Sequence, residues 1–205
     1  MGILRVLCVG VLLAAFAGSV SGTPIEYISA TTVPSSFTPT GGDFGLGVLL
    51  LSGVRPLVLH YADTQTVLYD SQFLLSTSLK VNMSDDGQVR GLFEGGTLRL
   101  LDSSGDELLV GEVHSVSLSE FFDNLGILTA SGTFSVESGS LKSDFGRNGI
   151  VFELMFSVEP RSVEDFSQGF SGFSDLSLTP IIPEPITLTA LGIGLVGLIA
   201  RRRRG

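Results

Sequence analysis

The chain has 205 residues, with 21 acidic against 12 basic side chains, a net charge of −9, one cysteine and no tryptophan. A single cysteine excludes a disulfide framework and a multi-thiolate metal centre. The acid excess argues against nucleic acid or an anionic lipid surface as partner.

Residues 1–22 read as a secretory signal peptide. Arg5 supplies the positive start, Val6 to Phe16 forms an eleven-residue apolar core, and Ala17 to Gly22 is a small-residue stretch suited to cleavage. Cys8 lies inside the apolar core, with Arg5 three residues before it where a lipid attachment site requires an apolar residue, so it does not read as a lipidated cysteine.

Residues 23–179 form the body, long enough for one domain with a proper core. The body holds seven Lys and Arg against twenty Asp and Glu, a net charge of −13. It contains no cysteine, so packing must stabilise it.

Apolar residues recur through the body with a period of two, the signature of half-buried strands. Thr31–Asp43, rich in Pro, Ser, Thr and Gly, reads as an irregular segment. Gly45–Leu51, Pro56–Tyr61, Thr66–Tyr69 and Phe73–Val81 are candidate strands separated by Gly, Pro, Asp or Ser. Gly96–Leu101 and Glu107–Val113 flank the turn Asp102–Asp106 and read as a hairpin, with Val113–Leu118 continuing or following it. In Leu128–Glu137, Leu128, Ala130, Phe134 and Val136 oppose a polar row of Thr129, Ser131, Thr133, Ser135 and Glu137, and Gly132 marks a bulge or a close approach. Ile150–Val158 alternates most clearly, with Ile150, Phe152, Leu154, Phe156 and Val158 on one face. Phe166–Thr179 supplies a last strand. About ten short strands with regular turn signals predict an all-β fold, a single antiparallel β-sandwich or jelly-roll-like domain.

The body carries only two histidines, His60 and His114, and neither an H-E-x-x-H nor a G-x-S-x-G motif. His114 beside Ser115 and Ser117, and His60 beside Tyr61 and Asp63, read as structural or solvated rather than catalytic. Asn82, Ser84 and Asp86 place oxygen ligands at alternate positions before Gly87, as in the first half of an EF-hand loop. The twelfth position, however, is Phe93 where a bidentate acid is needed. Asp102, Ser104 and Asp106 alternate in the same way. Both stretches read first as acidic hairpin turns and second as calcium sites. No catalytic residue, metal ligand or cofactor is assigned.

Residues 180–205 hold three consecutive pieces. Pro183, Glu184 and Pro185 form an extended triplet that cannot enter a helix or a sheet interior. Ile186 to Ala200 is a run of fifteen uncharged residues, and Arg201, Arg202, Arg203 and Arg204 follow. Fifteen helical residues rise about 22 Å against a hydrocarbon core of roughly 30 Å, a short span that bilayer thinning and snorkelling arginines accommodate. The arginines place their side in the cytoplasm. A transmembrane helix is therefore expected here, as a plain anchor or as part of a sorting signal.

This order at the extreme C-terminus resembles the PEP-CTERM sorting signal, on the strength of Pro183, Glu184, Pro185, the apolar run and Arg201 to Arg204. The resemblance covers about one eighth of the chain. It implies an exosortase as partner, in bacteria that make exopolysaccharide. It further implies membrane attachment through the C-terminal helix, then processing near the triplet and release to the cell surface or matrix. The expected function is that of an exported, non-enzymatic surface or matrix protein associated with exopolysaccharide and not with nucleic acid. The alternatives are a secreted carbohydrate-active enzyme, whose acid and base would come from the body's carboxylates, and a calcium-dependent carbohydrate-binding module. The absence of tryptophan weakens both the enzyme and a strong lectin, because sugar sites usually stack rings on aromatics.

Overall fold

Eight strands follow one another along the chain: β1 (Ile25–Pro39), β2 (Gly47–Tyr61), β3 (Gln65–Asn82), β4 (Arg90–Leu101), β5 (Glu107–Phe122), β6 (Ile127–Ser138), β7 (Ile150–Glu159) and β8 (Phe170–Pro180). One short helix, α1 (Lys142–Phe145), sits between β6 and β7. This computed structural model describes residues 24–40, 46–85, 88–122, 125–145, 149–159 and 165–181. The predicted signal peptide, the sorting triplet Pro183–Pro185, the apolar run and Arg201–Arg204 lie outside the described residues. Among the described residues no helix is long and apolar enough to cross a membrane.

Each strand pairs antiparallel with the next, and β8 returns to pair with β1 from Ile28 opposite Leu178 to Phe37 opposite Phe170. The sheet is thus a closed up-and-down barrel, not the sandwich or jelly roll that the alternation predicted. Closure removes every unpaired sheet edge. Eight strands also enclose an interior just wide enough for side chains to fill.

The strands are long, from ten to eighteen residues, because bulges absorb what reads in sequence as punctuation. Pro56 lacks an N–H and would break a regular ladder. It falls where the β2–β3 register shifts, between Arg55 opposite Ser71 and Leu57 opposite Leu68. The predicted pairs Gly45–Leu51 with Pro56–Tyr61, and Thr66–Tyr69 with Phe73–Val81, therefore merge into β2 and β3. Likewise Val113–Leu118 continues the hairpin arm into β5.

Inward positions carry the core. Phe37, Phe73, Phe93, Phe134, Phe152 and Phe156 are fully buried beside Leu49, Leu75, Leu98 and Val116. Of the two readings of Gly132, a bulge or a close approach, the second holds: a Cβ there would lie 2.5 Å from the Phe152 ring and 2.6 Å from the Ser115 carbonyl oxygen. At the end where β7 passes to β8, the buried ring of Phe166 closes the barrel. Its centroid lies 5.1 Å from that of Phe37 and 5.5 Å from that of Phe93, both edge-on. Phe145 of α1 is also buried, in the β6–β7 connection at the opposite end.

On β5 to β8 the outward positions are mostly Ser, Thr, Asp and Glu, whereas β2 turns Leu50, Val54 and the half-buried Val48 and Val58 outward.

Candidate functional site

Because side chains alternate across a strand, the pairing register decides which outward residues become neighbours. On β5 to β8 and β1 it aligns hydroxyls and carboxylates in rows. Ser117 lies opposite Ser131, Ser131 opposite Glu153, Glu153 opposite Ser177, and Ser177 opposite Ser29. A second row runs from Ser119 through Thr129 and Met155 to Asp175. With strands about 4.8 Å apart, the first row crosses roughly 19 Å of sheet. These residues line an open groove of about 600 Å³ together with Thr31. Glu153, Asp175, Ser117 and Ser131 are exposed, and Met155 is 55% exposed at the groove's centre.

The wall of this groove on β1 has an uncommon build. The β1–β8 register shifts between Ala30 and Val33, and Thr32 in the bulge has φ of 53°. A β-branched residue at positive φ is a genuine outlier, and such outliers persist only where the surroundings hold them. Two side chains do so here. Asp175 Oδ1 accepts from the Thr32 N–H at 3.0 Å, and Arg55 Nε donates to the Thr32 carbonyl at 2.9 Å. Arg55 also donates to the Val54 carbonyl at 2.9 Å.

Beyond the bulge a smaller groove of about 430 Å³ continues over β7, β8, β1 and β2, lined by Pro34, Ser36, Leu50, Glu159 and Phe173 among others. Phe173 pairs with Pro34 and Ser157, in the row next to Met155 and Asp175, and its ring is 52% exposed. The two grooves therefore adjoin, and an outward aromatic face stands where they meet.

The sequence candidates fall as follows. His60 lies at the same wall: Ser29 Oγ and His60 Nε2 share a hydrogen bond of 3.0 Å, and Tyr27 stacks on the imidazole at 3.9 Å between centroids. A serine next to a histidine has the first contact of a nucleophile–base pair. The stacked tyrosine and the pairing of Tyr27 with His60 across β1 and β2 equally account for it as a packing contact on the outer sheet face. His114 is exposed on the outer face of β5. In the two acidic stretches Asn82 and Asp102 serve the turns, and Asp86 and Gly87 lie outside the described residues. Asn82 Oδ1 accepts from the Ser84 N–H at 3.1 Å. Asp102 Oδ1 accepts from the N–H groups of Ser104 at 2.8 Å and Asp106 at 2.9 Å. These are Asx turns, in which the side-chain oxygen caps its own loop. No group of three or more potential metal ligands occurs among the described residues. The groove itself escaped sequence reasoning. Its hydroxyl rows were visible one strand at a time, but their alignment across five strands is a matter of register.

The family model for the PEP-CTERM protein-sorting motif matches residues 182–204, directly behind the barrel's last strand. The chain thus carries the signal of exported proteins directed to an exosortase. No curated protein and no solved structure matches the chain.

Proposed function

We propose that the chain is a non-enzymatic protein of the cell surface or extracellular matrix, delivered there through its tail and associated with exopolysaccharide by the outer face of its barrel. The observation that carries this reading is the sorting motif at residues 182–204 behind a barrel whose outward rows are hydroxyls and carboxylates. A surface of ordered Ser, Thr, Asp and Glu offers donors and acceptors to the hydroxyl groups of a sugar chain without burying charge. In this reading the apolar run and Arg201–Arg204 hold the chain in the membrane until an exosortase acts near Pro183–Pro185.

One observation favours a second reading, a carbohydrate-active enzyme. Glu153 and Asp175 are diagonal neighbours on the outer face of β7 and β8, and so about 7–8 Å apart by strand geometry. Side chains on a diagonal pair of this kind can reach the roughly 6.5–9.5 Å between carboxyl groups that inversion of a glycosidic bond requires. Tests of glycan cleavage by the wild type and Glu153→Gln separate the two.

The decisive test is the mass and location of the protein in its host, with and without the exosortase. The expected result is a species that starts near Thr23, ends near the triplet, fractionates with the matrix polysaccharide and disappears when the exosortase is deleted. A full-length chain that stays in the membrane in both strains would reduce the tail to an ordinary anchor. A released chain that never fractionates with polysaccharide would leave the sorting and remove the association.

A further inference from the structure

Charge divides this barrel into two sides. The strands β2 to β4 carry Arg55, Lys80, Arg90 and Arg99 with only Asp70 and Glu94. The strands β5 to β8 and β1 carry Glu107, Glu112, Glu120, Glu137, Glu153, Glu159, Asp175 and Glu26, with no lysine or arginine. The larger groove lies wholly on the second side, with Glu153 in it between Ser131 and Ser177 and Asp175 beside Met155. A polymer of uronic acids or sulfated sugars would meet a field of its own sign there. A neutral glycan's hydroxyls would donate to the two carboxylates but would leave both negative charges without a counter-charge.

We propose that the groove over β5 to β8 and β1 binds a linear polysaccharide carrying protonated amino groups, a partly or fully deacetylated amino-sugar polymer. This rests on the association with exopolysaccharide argued above and names the class of polymer. The chain would cross the strands along the row of Ser117, Ser131, Glu153, Ser177 and Ser29, where the hydroxyls bond to ring substituents. Glu153 and Asp175 accept from the ammonium groups, and charge-assisted bonds of this kind are about twice as strong as neutral ones. Asp175 can do both of its tasks, since one oxygen holds the Thr32 N–H and a carboxylate has a second. Phe173, one row beyond Asp175 on the outer face of β8, presents an aromatic face to the C–H side of a sugar ring at the edge of the smaller groove. Its neighbour Pro34 packs over Gly53, where a Cβ would come within 2.7 Å of the proline ring, so the platform rests on two strands. The bulge at Thr32, pinned by Asp175 and Arg55, holds the passage between the two grooves in one shape.

Any acidic protein attracts a polycation, so the test must separate the groove from net charge. Purified full-length protein in detergent is passed over immobilised polyglucosamine, its N-acetylated counterpart, a polyuronate and the host's own polysaccharide. The Glu153→Gln/Asp175→Asn double variant keeps the shape of both side chains and the bond to Thr32. It is compared with Glu112→Gln/Glu137→Gln, which removes the same charge from the same side of the barrel outside the groove. Unchanged thermal unfolding confirms that both variants fold. We expect the wild type to be retained by polyglucosamine, the groove variant to bind about tenfold more weakly or worse, and the control variant to bind nearly as wild type. Phe173→Ala should weaken binding as well. Equal losses in the two double variants would overturn the site and leave only a diffuse polyanion. Equal retention on the acetylated polymer, unaffected by the groove variant, would overturn the amine requirement while leaving the association with polysaccharide standing. Retention on none of the four materials would overturn both readings.

Discussion

Thr32 holds a conformation that its own side chain opposes. A left-handed backbone costs an L-residue with a Cβ roughly 1–2 kcal/mol, and both peptide groups of Thr32 are tied down by side chains from other strands. The bulge is therefore imposed by Asp175 and Arg55 rather than chosen by the local sequence. Replacing Thr32 with glycine removes the steric cost and adds an entropic one of roughly 0.5–1 kcal/mol. The expected net effect is a small gain in stability, about 0.5–1 kcal/mol, read as a higher urea midpoint with unchanged slope. A clear loss instead would mean that the Thr32 side chain has stabilising contacts of its own at the groove wall.

At the scale of elements, the strand that closes the barrel was the hardest to read. The second half of β1, from Thr31, contains Pro34, Pro39 and a dense set of Ser and Thr, a composition that favours loops. It is nonetheless a strand, because Ile28, Ala30, Val33 and Phe37 still reach the core and the bulge at Thr32 resets their phase. With Thr31–Asp43 read as irregular, no sequence argument brings β8 back to a partner, and a sandwich is the natural reading of what remains. Alternation was legible on β6 and β7 because their pairing with each other runs without a register shift, from Ile127 opposite Ser157 to Phe134 opposite Ile150. Period two specifies an inner and an outer face, but a sandwich and a barrel satisfy it equally. The groove was less legible still. It depends on which serine of β5 stands opposite which of β6, and that is fixed by bulges whose positions leave no motif. The same holds for Phe166, which sits in a connection and not in a strand, yet is fully buried against Phe37 and Phe93. Gly91 makes room for it, since a Cβ there would lie 2.5 Å from its ring. Phe166→Ala should therefore behave as a core truncation and not as a loop substitution. The expected cost is about 3–5 kcal/mol in equilibrium unfolding, against under about 0.5 for an exposed connection residue.

For the whole molecule, what matters is where the chain enters and leaves. β1 begins and β8 ends at the same end of the barrel, the end where α1 caps the β6–β7 connection, with Ile28 opposite Leu178 and Ile150 opposite Pro180. The barrel holds the chain as far as Ile181, whose N–H donates to the Gly149 carbonyl at 3.1 Å. Only Ile182 separates that bond from Pro183, so the sorting triplet begins within about 7 Å of the folded body. A membrane enzyme that recognises the triplet must then either work against the barrel's α1 end or wait for the last residues of β8 to leave their ladders with β7 and β1. Strand ends open locally far more often than the whole fold does, so the second route is slow but accessible. A short Gly-Ser insertion between Ile182 and Pro183 would move the triplet clear of the barrel without touching its core or the tail. Pulse-chase measurement in the host should then show the processed form appearing several-fold faster, with the final yield unchanged. Identical kinetics would instead place recognition of the tail before the barrel closes, so that β8 joins β1 only after the triplet has been used.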